Sequence, residues 1–210
     1  MAYGIWDGTK VIAAFTSPMT VRSNHPIFSS DTLSLKRLTY RRTAQRWEID
    51  TKLSPLHTTA NELFVNFVTK GHGEVVKALM PQNVGAKANL TMTATMTAEA
   101  TAASESSLWV QAVTSGNGGK LLPKGTFIQF ATESHTKVYM LTQDTITSSL
   151  EHFKLHVYPQ LRKAVVDGQG IRYKDDIIIN MKYDTDTVIG MVYEDGILMD
   201  NGSIKLIEAV

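Results

Sequence analysis

The side chains able to do chemistry are few, and their spacing argues against a reaction. His152 and His156 lie four residues apart, a spacing that lets two imidazoles share one metal ion on a helix. Here Phe153, Leu155 and Val157 alternate with Lys154, His156 and Tyr158, the period of a half-buried strand. Four residues of strand span about 13 Å, too far for a shared ion. Asp184-Thr185-Asp186 opens like a calcium loop, but Gly190 stands one place late for the glycine such a loop needs, and the other ligands are missing. Those carboxylates read as solvated turn residues. Asp175-Asp176 and Glu194-Asp195 are adjacent pairs, which point apart on a strand and form no acid–base dyad. Gly116–Gly119 reads as a turn, because no strand-to-helix step follows it to cradle phosphate. There is no GxSxG elbow, Walker loop or HExxH, and there is no cysteine. The expectation is a protein that is not an enzyme, with no catalytic residue, no cofactor and no bound metal.

Charge offers more. Lys36, Arg37, Arg41, Arg42, Arg46 and Lys52 outweigh Glu48 and Asp50, giving Lys36–Lys52 a net charge of +4. Between Arg172 and Glu208 the balance is −4, with Asp184 and Asp186 among eight acidic residues. Three readings suit the basic stretch: a solvated sheet face, salt bridging between subunits, or contact with nucleic acid. The last is weakest, since aromatics do not interleave with the cations as a stacking platform requires. The two segments can face each other within one subunit or across the joint between two. Arg41, Arg42, Arg46, Asp184 and Asp186 are therefore the candidate inter-subunit charge contacts. Opposed patches of this kind set orientation more than affinity.

The whole chain carries only +1, so no global field draws it to nucleic acid or an anionic membrane. Its 210 residues, 43% hydrophobic and 20% charged, suit one large or two small globular domains. The missing cysteines exclude a disulfide scaffold and suit assembly in a reducing cytoplasm. No apolar run approaches the roughly 20 residues that span a bilayer, and the opening MAYGIWDGTKVIAAF lacks the basic start of a signal peptide.

The elements that must position these residues are mostly strands. Lys10–Phe15 reads as one, inside an N-terminal stretch that suits an edge strand or an arm reaching another subunit. Leu33 and Leu35 run out of phase with Leu38 and Tyr40, which implies a turn near Lys36-Arg37. In Thr43–Leu53, Trp47, Ile49 and Thr51 share one face, with Arg46, Glu48 and Asp50 on the other. Thr58–Lys70 is the one clear helix. Thr58 or Thr59 caps it, Leu63, Phe64, Phe67 and Val68 form a core-facing stripe, and Gly71 ends it in the left-handed region. Further strands are read at Glu74–Met80, Leu90–Met96, Leu108–Val113, Thr126–Ala131, Lys137–Thr142 and Phe153–Tyr158, the last three as an antiparallel meander. Asp176–Tyr183, Val188–Tyr193, Ile197–Met199 and Ile204–Ile207 follow, with turns at Asp195-Gly196 and Asn201-Gly202, the second the strongest hairpin signal in the chain. The expected fold is mainly β with one helix. A discontinuous β-sandwich or split-barrel domain, residues 1–85 and 163–210, carries an inserted barrel at 86–162. Five strands in about 80 residues suit a barrel of the oligonucleotide/oligosaccharide-binding type.

Five stretches, "QRWEIDTKLSPL", "VVKALMPQ", "LPKGTFIQF", "KVYML" and "LHVYPQLR", occur in an order and spacing that resembles the distal tail and baseplate ring proteins of long-tailed bacteriophages. The resemblance covers most of Ala44 to Arg162 and fits the two ends only in outline. It implies a structural virion protein, made in the host cytoplasm and built into the tail tip. Six copies would form a ring at the distal end of the tail tube and join it to the baseplate hub or to fibre and collar proteins. Genomic DNA would pass through the lumen without sequence-specific binding, and no membrane is involved. The alternative is a host-surface module using the barrel to read carbohydrate or a receptor. That alternative predicts an aromatic cluster on one barrel face. Trp109, Phe130 and Tyr139 are its candidates, and each is read as alternating like a core residue.

Overall fold

The computed structural model describes residues 3–32, 36–41, 44–55, 60–71, 73–82, 96–112, 121–132, 135–146, 152–184, 192–194, 197–200 and 203–209. They are mainly β with one short helix, α1 (Ala60–Lys70). The chain divides into two compact units, one of residues 78–179 and one of 2–77 with 180–210.

The discontinuous unit is built on a sheet ordered β19 (Ser203–Glu208), β16 (Ile178–Tyr183), β7 (Val76–Leu79), β1 (Gly4–Trp6), β2 (Val11–Phe15), β6 (Arg46–Pro55), β3 (Thr20–Asn24). Ten residues long, β6 pairs β19 along one edge and both β3 and β2 along the other, so the sheet returns on itself. Trp47, Ile49 and Thr51 are buried at the alternate positions the sequence predicts, and Leu53 continues the series. Glu48, on the face that carries Arg46 and Asp50, is buried as well: Asn24 donates to its carboxylate at 2.6 Å. Beside β1 the backbones come so close that a Cβ on Gly4 would stand 1.9 Å from the Ala13 carbonyl, so only glycine fits. Two smaller pairs complete this unit, β4 (Ile27–Asp31) with β5 (Arg37–Arg41), and β17 (Val192–Glu194) with β18 (Ile197–Asp200). Leu33, Leu35, Asp195-Gly196 and Asn201-Gly202 lie outside the described residues. Among the described residues, the strands flanking Asn201-Gly202 pair with other strands, β18 with β17 and β19 with β16 and β6. That pairing is not the hairpin expected there.

Helix α1 buries Leu63, Asn66 and Phe67, whereas Phe64, Val65 and Val68 are exposed. The predicted stripe is therefore half right. Its apolar arc is wider than the surface available, and the inward turn goes to Asn66, whose Oδ1 accepts the Tyr183 hydroxyl proton at 3.1 Å. Thr58 and Thr59 fall outside the described residues. Gly71 closes the helix by donating to the Phe67 carbonyl at 2.9 Å, and the left-handed residue is Gly73 (φ 97) instead.

The other unit holds a closed antiparallel barrel: β11 (Phe127–Phe130), β12 (Val138–Leu141), β14 (His152–Tyr158), β9 (Ser107–Ala112), β8 (Met96–Ala98) and β15 (Gln169–Arg172), which returns to β11. The β11–β12–β14 meander is present. Of the Leu90–Met96 strand only Met96 is described. The sixth strand, β15, lies beyond residue 162, where the sequence reading returned to the first domain; four residues containing a glycine carry too little alternation to register as a strand. A small satellite pair joins β10 (Leu121–Leu122), just before the Pro123-Lys124-Gly125 turn, to β13 (Thr145–Ile146), and Gly125 in that turn has φ 86. The barrel core includes Met96, Leu108, Val110, Ile128, Phe130, Tyr139, Leu155 and Val157.

Candidate functional site

Of the five predicted charge contacts, Arg41, Arg46 and Asp184 are among the described residues. Arg46 is exposed at the start of β6, and Arg41 ends β5 with its side chain outside the described set. Arg42 and Asp186 lie outside the described residues. Asp184 accepts from Lys205 Nζ at 2.9 Å, and that ammonium also lies 3.8 Å from Glu48. The bond to Asp184 holds the Lys205 ammonium above its ordinary pKa, with the Glu48 and Asp50 charges adding to it. Arg22 on β3 binds Asp50 at 2.9 Å. The two stretches adjoin inside one chain, where β6 and β19 are paired strands and Lys205 lies opposite Asp50, and the ion pair between them joins the acidic stretch's Lys205 to the basic stretch's Glu48. Glu208 lies at the buried end of β19 and accepts from the Trp47 backbone N–H at 3.0 Å.

Two clefts carry titratable side chains. One, of about 420 Å³, is lined by Asp7, Ile12, Glu62, Val65, Asn66 and Lys70. Asp7 accepts the backbone N–H groups of Thr9 and Lys10, which hold its carboxyl below the usual range. Glu62 binds Lys10 at 2.8 Å. The other, of about 390 Å³, is lined by His135, Lys163, Asp167 and Gln169 among others. Burial lowers the His135 pKa, and its Nε2 lies 3.0 Å from the Ala164 carbonyl, which can only accept, so that nitrogen carries the proton. Asp7 serves its own turn, Glu62 and His135 are held by Lys10 and the Ala164 carbonyl, and the residues lining the clefts do not join a nucleophile to a base. Among the described residues no three His, Asp or Glu side chains converge as a metal set.

What stands open is apolar or aromatic. Every described side chain of the β4–β5 hairpin is exposed, including Ile27 at 59% and Leu38 at 55%. In the barrel, Phe130 and Tyr139 are core residues whose rings meet edge-on at 5.7 Å, but Trp109 is 50% exposed. The core assignment of Trp109 is thereby corrected. Leu108 and Val110 on either side of it are buried, so the alternation itself places Trp109 on the outer face.

Compared with models of known protein families and with curated proteins, the chain matches none.

Proposed function

We propose that this chain is a structural ring subunit of a bacteriophage tail tip. Six copies form a ring at the distal end of the tail tube, join it to the baseplate hub or to fibre and collar proteins, and let genomic DNA pass through the lumen. The barrel is read as an oligonucleotide/oligosaccharide-binding-type module turned to protein contact. The ordered motifs from Ala44 to Arg162 support this reading, and so does a fold that is mainly β with a closed barrel.

The observation that carries most weight is the β4–β5 hairpin. A two-stranded hairpin alone is marginally stable in water, and this one presents Ile27 and Leu38 to solvent. Its strands pair with each other. Beside it in sequence, β3 ends the sheet order, an edge strand among the described residues. A neighbouring copy supplies what both lack, an apolar cover and a closed cyclic joint.

The test is mass by light scattering and shape by negative-stain imaging, with and without the tail-tube protein. Rings of about 140 kDa, six times the 23.2 kDa chain, are expected from a closed sixfold assembly. A chain that stays monomeric with tube protein present overturns the reading.

A further inference from the structure

We infer that the outer wall of the barrel carries a saccharide-binding site centred on Trp109. The inference stands apart from the ring and concerns β8, β9 and β14 alone. Along β9 the indole points away from a core that takes Leu108 and Val110. Lys154 lies directly across from it on β14, with its ammonium 5.9 Å from the ring centre. One step along the same pair of strands, Gln111 faces His152. On the other side Glu99, just past β8, donates its backbone N–H to the Trp109 carbonyl at 3.0 Å, and its carboxylate binds His152 Nδ1. Thr97 faces Gln111 across β8 and β9. One half-open indole is thus ringed by an ammonium, an amide, an imidazole, a carboxylate and a hydroxyl, all on the wall of a closed barrel.

That combination suits a pyranose. Its C–H face stacks on an aromatic ring, and its hydroxyls take donors and acceptors at the rim. Lys154 lies near the outer limit of a cation–π contact, so its ammonium is held loosely and can turn to a hydroxyl or a uronate carboxylate. Two other occupants fit worse. A protein joint needs a contiguous apolar patch around its anchor, and the described neighbours of Trp109 here are polar. A stacked nucleobase brings phosphate, which needs several cations, and Glu99 stands against it.

A glycan array probed with the full-length chain tests this, using hexoses, N-acetylhexosamines, deoxyhexoses and uronic acids. The best-bound oligosaccharide is then titrated by tryptophan fluorescence. The wild type is expected to bind, Trp109→Ala to weaken binding about tenfold or more through the lost aromatic face, and Trp109→Phe to fall between. Thermal melts check that the variants fold; should Trp109→Ala fail to fold, Gln111→Ala and Lys154→Ala serve in its place and are each expected to weaken binding. An array with no glycan above background overturns the site, as does equal binding by the substituted chains. Oligo(dT) binding that is steeply salt-dependent and lost in Trp109→Ala assigns the indole to a base instead. A fall in assembly mass in Trp109→Ala assigns it to a protein joint.

Discussion

Two buried glutamines do in the barrel unit what a strand partner does elsewhere. Gln82 donates from Nε2 to the Phe127 carbonyl at 2.8 Å and accepts the Phe127 N–H at 3.0 Å. Gln129 donates to the Ile178 carbonyl at 2.6 Å and accepts the Ile178 N–H at 3.2 Å. Each amide thus imitates a peptide group and satisfies one buried donor and one acceptor. Gln129→Ala leaves both Ile178 groups bare and is expected to lower stability by about 1–3 kcal/mol, read from denaturant unfolding. Gln129→Met, of like length, should not rescue it. A midpoint equal to wild type would show that water replaces the amide. Tyr173 gives a pH dependence. Burial, helped by the charge of Asp176, raises its phenol from 10.0 to about 12. The folded state holds that proton more tightly than the unfolded state, so the contribution is complete below about pH 10 and is lost as pH rises toward 12. Burial raises the Tyr183 phenol too, in the same direction. Unfolding midpoints should be flat from pH 8 to 10 and fall above that, and Tyr173→Phe should make the fall shallower. An unchanged slope in that variant would place the alkaline loss elsewhere.

At the scale of elements, α1 separates burial from hydrophobicity. Leu63 is fully buried and Val68 is 60% exposed, although both sit on the same apolar arc. Leu63→Ala should cost about 2–5 kcal/mol by opening a cavity, whereas Val68→Ala should stay within about 0.5 kcal/mol. Equal losses at the two positions would mean that the exposed face is covered in solution. Tyr183→Phe, which removes the hydroxyl bonded to Asn66 but keeps the edge-on contact with Phe67 at 5.3 Å, should cost about 1 kcal/mol. The same element shows what a sequence conveys. The helix is legible because apolar residues recur at its period, and β14 is legible because Phe153, Leu155 and Val157 alternate without interruption and are all buried. Periodicity names an apolar arc but not how much of it meets a partner, so Phe64 and Val68 were misplaced. Buried polar groups were illegible for a related reason. Glu208 is paid for by a backbone N–H 161 residues away, and Gln129 by Ile178, 49 residues away. No local pattern announces either. Trp109 differs, because its alternation with buried Leu108 and Val110 along β9 sets it on the outer face.

For the whole molecule the question is what joins copies. The charge asymmetry between Lys36–Lys52 and Arg172–Glu208 suggests a salt-bridged joint, but the ion pairs inside the chain engage mainly the minority charges of each stretch, Lys205 with Asp184 and Glu48 and Arg22 with Asp50. Exposed ion pairs contribute little in any case, with a median near 0–1 kcal/mol. Exposed apolar side chains on a hairpin are the stronger drive to associate. The proposed ring is therefore expected to depend on Ile27 and Leu38 more than on Arg46. The pair of substitutions Ile27→Asp and Leu38→Asp should leave the single chain folded, read from its circular dichroism, since both side chains are exposed in the single chain. The same pair should reduce the assembly seen by light scattering to single chains. Arg46→Ala should leave the ring mass unchanged, and raising the salt concentration should not dissolve it. The reverse pattern, rings that survive the hairpin substitutions and fall apart with Arg46→Ala or in high salt, would return the joint to the charged strands. It would also leave the hairpin's apolar side chains to the tube or hub protein.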